Sequence, residues 1–436
     1  MMYFDLGLDL FPLLAAVFAA LVCGLLGNFL VLRRLSLMGD AVSHSVLPGL
    51  VIAFMVTDSR NPLVMFLGAA VAGIVTVILV EVVKKYGRVE SGAAMGVVFS
   101  VLFALGVLLI EQAAVRHVDL DADCVLYGQL ETLVWYGAPS SASELFQWST
   151  VDAIPRQVLT LAIILALTIG MVTLMYKELR IAAFDPALAT AQGFNATIMH
   201  YVLMVFVAAA TVASFEAVGS ILVIAMLVCP AATARLFTDR LHSQIFASVV
   251  IALICGIGGY FAATIIPALF ERDAVNAAGS MAMVGGLTVT VAIIFSPRHG
   301  VLSRVVRRRR LASRVAIDDV LAAVYRAAES GQTKVSITSL NLLLTPRRVE
   351  AALPTATRKG LLRREQQDVM LTEDGREAAR QIVRKHRLWE HYLVEKAGFA
   401  PDHVHDTAEQ LEHIQHAPPS GPPTDPHGRE IPADEL

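Results

Sequence analysis

A chain of 436 residues that is 56% hydrophobic and only 17% charged, with a net charge of −3, is too apolar to be an ordinary soluble protein. Its mean hydropathy of +0.61 makes lipid the solvent of most of its length. Four cysteines, Cys23, Cys124, Cys229 and Cys255, show no paired spacing, which excludes a signalled disulfide framework or zinc knuckle.

Apolar windows of roughly 17–25 residues, the length a helix needs to cross the hydrocarbon core, fall near 9–32, 41–57, 62–83, 92–111, 157–176, 199–214, 217–236, 243–268 and 279–296. The first has an acidic leader and is too long for a cleaved signal peptide, so it reads as a retained span. The fold class that follows is an all-α polytopic membrane protein of about nine transmembrane helices. Basic residues follow every second window: Arg33/Arg34, Lys84/Lys85/Arg88, Lys177/Arg180, Arg235/Arg240 and Arg307–Arg310. Because Lys and Arg are retained on the cytoplasmic side, the N-terminus is expected outside and the C-terminus inside. The acidic loop at 112–155, with Asp119, Asp121, Asp123, Glu131, Glu144 and Asp152, agrees with that orientation.

At the start of the second window the sequence reads LSLMGDAVSHSVLPGL. Asp40 and His44 are four residues apart and share one helical face, so two good ligands for a divalent metal point the same way. Pro48 removes its own amide donor and crowds the carbonyl of His44, which a kink would free. Two readings stand side by side on spacing alone: a metal-passing pair inside the membrane, or an interfacial helix cap whose imidazole bonds to a neighbour. Further on, FDPALATAQG follows the fifth window; its Asp185-Pro186 step is a helix-start signal, and otherwise the segment is a simple interhelical loop. Glu216 lies in the turn expected between the sixth and seventh windows, where it either guides cations or faces water. The chain contains no G-x-x-x-x-G-K-[ST] loop, so it binds no nucleotide by that route.

The composition changes after Phe295, where SPRHGVLSRVVRRRR ends the lipid-soluble part. The expected divisions are a membrane domain at 1–300, a basic linker at 301–316, a winged-helix-like α(+β) domain at 317–380, and a segment at 381–436 with an irregular Pro/Gly-rich end. In that last segment His386 and Glu390 are four apart on one helix, while His405, Glu409, Glu412 and His413 share a face on another. Such N/O donors suit a first-row divalent metal; the same pattern also fits a solvated charged face. Arg347, Arg348, Arg358 and Lys359 could neutralise DNA phosphates. Pro354, however, is expected to interrupt the second helix of the helix-turn-helix, because an interior proline costs on the order of 3 kcal/mol.

GNFLVLRRLSLMGDAVSHSVLPG, GAAMGVVFSVLFALGV, DADCVLYGQL, KELRIAAFDPALATAQG and VGSILVIAMLVCPAATARLF, in that order, resemble the manganese/zinc/iron-type permeases of ATP-binding-cassette importers over residues 8–300. The resemblance implies that Asp40 and His44 pass the metal and that the segment at Phe184, Asp185 and Pro186 docks on the ATPase. It further implies a separate cytoplasmic ATPase subunit, a second permease subunit, an extracytoplasmic metal-binding protein and a bacterial plasma membrane location. LTEDGREAARQIVRKHRLWEHYL and VHDTAEQLEHIQ resemble the metal-dependent repressors of the diphtheria-toxin-repressor type. That likeness implies tail metal ligands at Asp319, His386, Glu409, Glu412 and His413, with Glu390 and His405 beside them. The carboxylate at 409, in place of the thiolate of the iron-responsive branch, favours Mn²⁺, while Ala322 stands where a further carboxylate is expected. The expected function is therefore a permease subunit importing Mn²⁺, or else Zn²⁺ or Fe²⁺, with a cytoplasmic tail that senses metal. The alternatives are a membrane-tethered metal-responsive transcription regulator and an ion-coupled secondary transporter, the latter lacking a visible inverted repeat.

Overall fold

The structure is a computed structural model that describes residues 6–58, 61–114, 130–135, 154–413 and 422–432. Cys124 and most of the acidic loop at 112–155 lie outside the described residues. The chain divides into two compact units, Met1–Ser303 and Arg304–Leu436.

The first unit is built from α1 (Leu6–Leu32), α2 (Met38–Thr57), α3 (Pro62–Gly87), α4 (Ser91–Ala114), α5 (Arg156–Leu174), the short α6 (Tyr176–Phe184) and α7 (Pro186–Ala191), then α8 (Ala196–Phe237), α9 (Leu241–Ala268) and α10 (Ala277–Phe295). Eight of these are long and apolar enough to cross a membrane. Their outward faces carry large apolar side chains such as Leu63, Leu67 and Val71 on α3 and Val97, Val101 and Leu108 on α4, an arrangement that suits lipid and would be a liability in water.

The two windows at 199–214 and 217–236 fall in the single helix α8, 42 residues long, interrupted at Gly219 by φ 76° and ψ 169°. This conformation favours a residue without Cβ. His200, near the start of α8, lies 3.1 Å from Arg33 at the end of α1. A straight helix would carry Leu227 about 40 Å from His200. Yet Leu227 packs against Gly27, which is only about 9 Å along α1 from Arg33. The chain therefore doubles back at Gly219, and the two arms of α8 correspond to the two expected crossings. Gly27 allows α1 and α8 to meet, since a Cβ there would stand 2.0 Å from the carbonyl oxygen of Leu227. Glu216 lies inside α8, three residues before the break, rather than in an open turn. Buried Asn28 and Ser248 join α1 to α9 through a 2.6 Å hydrogen bond, meeting the need of polar groups in an apolar core for partners.

The second unit takes most of α11 (Val301–Glu329), followed by β1 (Val335–Ser336), α12 (Ile337–Leu343), α13 (Pro346–Arg358), β2 (Leu362–Glu365), β3 (Asp368–Leu371), α14 (Glu373–Glu395) and α15 (His405–Leu411). The basic stretch expected as a linker is helical, forming the first half of α11. The antiparallel sheet has the order β1-β3-β2, pairing Leu362 with Leu371 and Val335 with Val369. Helix, helix pair and hairpin enclose a core of Val320, Leu321, Val324, Leu340, Val349, Leu353, Leu362 and Val369, which is a winged-helix arrangement. The proline expected to interrupt the second helix of the pair does not: α13 runs unbroken through Pro354. Pro354 is on the exposed face, so water can take up the carbonyl that its missing N–H leaves free. At the Pro/Gly-rich end, residues 422–432 are irregular and carry one bridge, Thr424 to Glu430.

Candidate metal-handling sites

In the first unit Asp40 occupies the first turn of α2, and His44 lies one turn on. Their side chains meet, with Nε2 of His44 3.3 Å from Oδ1 of Asp40. Asp40 is not a side-chain cap: the N-cap is Leu37, which makes no capping bond. The His44 ring packs against both Phe99, at 4.9 Å, and Phe103, at 5.5 Å, two neighbouring rings on α4. Both side chains are only partly covered within this chain, at 21% exposed for His44 and 35% for Asp40. Pro48 remains inside α2, and α4 comes close to it only because residue 106 is glycine; a Cβ there would stand 2.9 Å from the proline ring.

The Asp185-Pro186 step does start a helix. Oδ1 of Asp185 accepts from the backbone N–H of Ala187 at 2.9 Å and of Leu188 at 3.0 Å, and Pro186 fills the first helical position, where no N–H is needed. Phe184 ends α6 with its ring exposed.

In the second unit two groups of donors form. His386, Glu390 and His405 make one, and Asp319, Glu412 and His413 the other; within each group one ligand atom per residue lies within 4.8 Å of the rest. In the first, Nε2 of His386 is 3.1 Å from Oε1 of Glu390, which is also 2.9 Å from Nδ1 of His405. In the second, Nε2 of His413 is 3.2 Å from Oδ1 of Asp319 and 3.9 Å from Oε1 of Glu412. The groups are joined by a 2.5 Å hydrogen bond between Nδ1 of His386 and Oε2 of Glu412. Glu409, expected among the ligands, belongs to neither group.

The electrostatics are those of a compact anionic nest around imidazoles. Burial alone would raise the Glu390 carboxyl, but hydrogen bonds with His386 and His405 overcome it and hold it down at about 2. Hydrogen bonds to Asp318 and Asp319 raise His413 to about 9. Burial opposes a charge on His386, yet its bonds to Glu390 and Glu412 leave it raised overall. Oε2 of Glu390 is buried and finds no partner among the described residues. A buried, unpaired carboxylate oxygen beside two imidazoles fits a divalent cation with N/O preference.

Two features escaped the sequence. Asp319 also accepts from Nη1 of Arg348 on α13 at 3.0 Å, tying a candidate ligand to a basic side chain of the winged helix. In the first unit Glu81 and His200 pair at 3.0 Å; each is an ionisable residue in an otherwise apolar window, and that alone was the available signal.

Comparison with known proteins gives this multi-helix bundle a family. Residues 10–135 and 145–295 match the ABC 3 transport family, and the chain belongs to it as a multi-pass membrane protein. It is similar to the zinc transport system membrane protein TroD of Treponema pallidum (strain Nichols), 36% identical over 368 residues covering 83% of this chain and 95% of that one. The manganese transport system membrane protein MntD of Bacillus subtilis (strain 168) is 40% identical over 67% of this chain and 93% of its own length. Among solved structures, PsaBC from Streptococcus pneumoniae in complex with Fab aligns with a TM-score of 0.52 and 28% identity, over 66% of this chain and 92% of that one. Residues 372–418 match the iron dependent repressor, metal binding and dimerisation domain, so a repressor-like region is fused to the permease.

Proposed function

We propose that the chain is the permease subunit of an ATP-driven importer of a divalent transition metal, Mn²⁺ first, with Zn²⁺ and Fe²⁺ as the other candidates. The observation that carries this reading is the Asp40–His44 pair, a carboxylate and an imidazole in contact on one membrane helix and only partly covered by the rest of the chain. One hard oxygen and one imidazole nitrogen suit a first-row divalent ion, and two ligands are few enough to let it leave. The relatives named for manganese and zinc transport support the substrate class.

In this reading the importer sits in a bacterial plasma membrane with the basic loops and the tail in the cytoplasm. A second permease subunit completes the pathway, an extracytoplasmic protein delivers the metal, and a separate ATPase docks around Phe184, Asp185 and Pro186. The tail binds cytoplasmic metal through His386, Glu390, His405, Asp319, Glu412 and His413, and so reports on supply. The direct test is uptake of radioactive Mn²⁺ by cells carrying Asp40→Asn or His44→Gln. Both variants should accumulate in the membrane as the parent does and fail to import; normal uptake in either would reject the pair as the pathway.

A further inference from the structure

In the second unit, arginines stand against the carboxylates of one donor group and not of the other. Asp319 on α11 accepts from Nη1 of Arg348 through Oδ2 at 3.0 Å, while its Oδ1 faces Nε2 of His413 at 3.2 Å. Oε2 of Glu412 has Nη2 of Arg326 at 3.9 Å. Glu390, the carboxylate of the other group, meets only the imidazoles of His386 and His405 among the described residues. A cation beside a carboxylate stabilises its charge and repels a second cation, so both arginines work against a divalent ion entering the group of Asp319, Glu412 and His413.

The two arginines differ in freedom. The Arg348 side chain is 53% exposed and that of Arg326 32%, whereas Asp319 is 2% exposed. Arg348 can turn into water, and Asp319 cannot follow it. A buried carboxylate left without its paired cation is costly, so the guanidinium leaves readily only as another cation arrives. An ion held through Oδ1 with Arg348 still on Oδ2 would set two cations on one carboxylate, a repulsion that Arg348 relieves by turning outward. Val349, the next residue, is fully buried in the core of the winged helix, which keeps α13 in place and confines the change to the side chain.

We propose that Arg348 is a latch on this donor group: its guanidinium holds Asp319 until a divalent ion takes the carboxylate, and that exchange sets the ion concentration at which the tail fills. The proposal rests on the reading of the tail as a metal-binding unit and adds the residue that sets its threshold. A group whose carboxylates are already neutralised answers to surplus metal and not to traces.

The test uses the full chain in neutral detergent with Mn²⁺ titrated in. Hydrogen exchange of the peptide spanning 408–413, which carries Glu412 and His413, reads filling of the tail separately from the membrane pair. Phenylglyoxal labelling, mapped by mass spectrometry, reads the freedom of Arg348. Mn²⁺ should slow exchange in the peptide and, over the same concentrations, speed labelling of Arg348 several-fold, with exposed Arg347 unchanged. Arg348→Gln should move the midpoint to about tenfold lower Mn²⁺, the scale of one charge-assisted hydrogen bond taken from a competitor. Arg348→Lys, which keeps the charge, should stay near the parent. A midpoint that rises or stays put in Arg348→Gln overturns the proposal, because a residue that merely steadies Asp319 for the ion would weaken binding when lost. Arg348 labelling that Mn²⁺ slows or leaves unchanged overturns it as well, and this measurement on the parent chain stands even if Arg348→Gln does not fold. Absence of any Mn²⁺ effect on the 408–413 peptide would instead remove the metal-binding reading of the tail, and the latch with it.

Discussion

His413 shows how one side chain can shape the pH response of the second unit. Its value in the folded chain is raised from 6.5 to about 9 by Asp318 and Asp319, so its contribution to stability is complete below the unfolded value and is lost as pH rises through about 9. Glu390 is the opposite case: it is held down from 4.5 to about 2, so its contribution is present above 4.5 and is lost as pH falls toward 2. A metal-free fragment of residues 304–436 should therefore melt highest between these limits and lose stability on both sides. His413→Gln should flatten the alkaline limb and leave the acid limb in place, as read from melting temperatures across a pH series; an unchanged alkaline limb would show that the imidazole is not held by those carboxylates. At this scale the sequence revealed the donors but not all their partners. Helical spacing put His386 with Glu390 and Glu412 with His413, because periodicity is local. That Asp319 lies against His413, and that Arg348 shares it, depends on how α11, α13 and the end of α15 pack, which no local spacing encodes.

Among the elements, α7 is the one whose start and role can be separated. Asp185 holds two N–H groups of a six-residue helix, and such a cap is worth about 1 kcal/mol, a large share for so short an element. Asp185→Asn keeps a capping oxygen and should leave the helix in place, while Asp185→Lys removes the cap and reverses the charge. If this helix is the ATPase contact, co-purification of the ATPase should survive the first change and fall several-fold with the second; undiminished recovery with Asp185→Lys would place the contact elsewhere. Apolar length made the membrane helices legible, and two sites show where that signal stops. Hydropathy separated 199–214 from 217–236, yet the separator is a single buried Gly219 within one continuous run, since a positive-φ glycine can turn a chain without adding polar residues. Pro354 misled in the other direction: its helix persists with the proline on the exposed face, an orientation that packing decides. The close approach at Gly27 gives a further expectation. Gly27→Leu would drive a side chain into the backbone of Leu227, so the protein should fail to accumulate in the membrane, as measured by immunoblot against the parent chain.

At the scale of the whole molecule, a permease of the ABC 3 transport family is fused to a region that matches a metal binding and dimerisation domain, and the two proposed roles can be tested separately. A ligand that binds only the folded state stabilises it by mass action, about 2.7 kcal/mol at a hundredfold excess over its Kd. The 304–436 fragment, which has its own core, should therefore melt several degrees higher with Mn²⁺. Because Glu412 and His413 belong to one donor group and Glu409 to neither, Glu412→Ala with His413→Ala should abolish the gain, and Glu409→Ala should keep most of it. If Glu409→Ala alone abolishes the gain, the ligand set is the one the family resemblance implied and the grouping of side chains is wrong. Binding would still not establish regulation, which needs the permease. In cells, uptake by the full chain should slow as internal Mn²⁺ rises, whereas a chain ending at residue 303 should import at one rate throughout. Full-length uptake that ignores internal metal, in a protein whose tail binds Mn²⁺, would leave the tail as a metal-stabilised assembly module and remove sensing from its role.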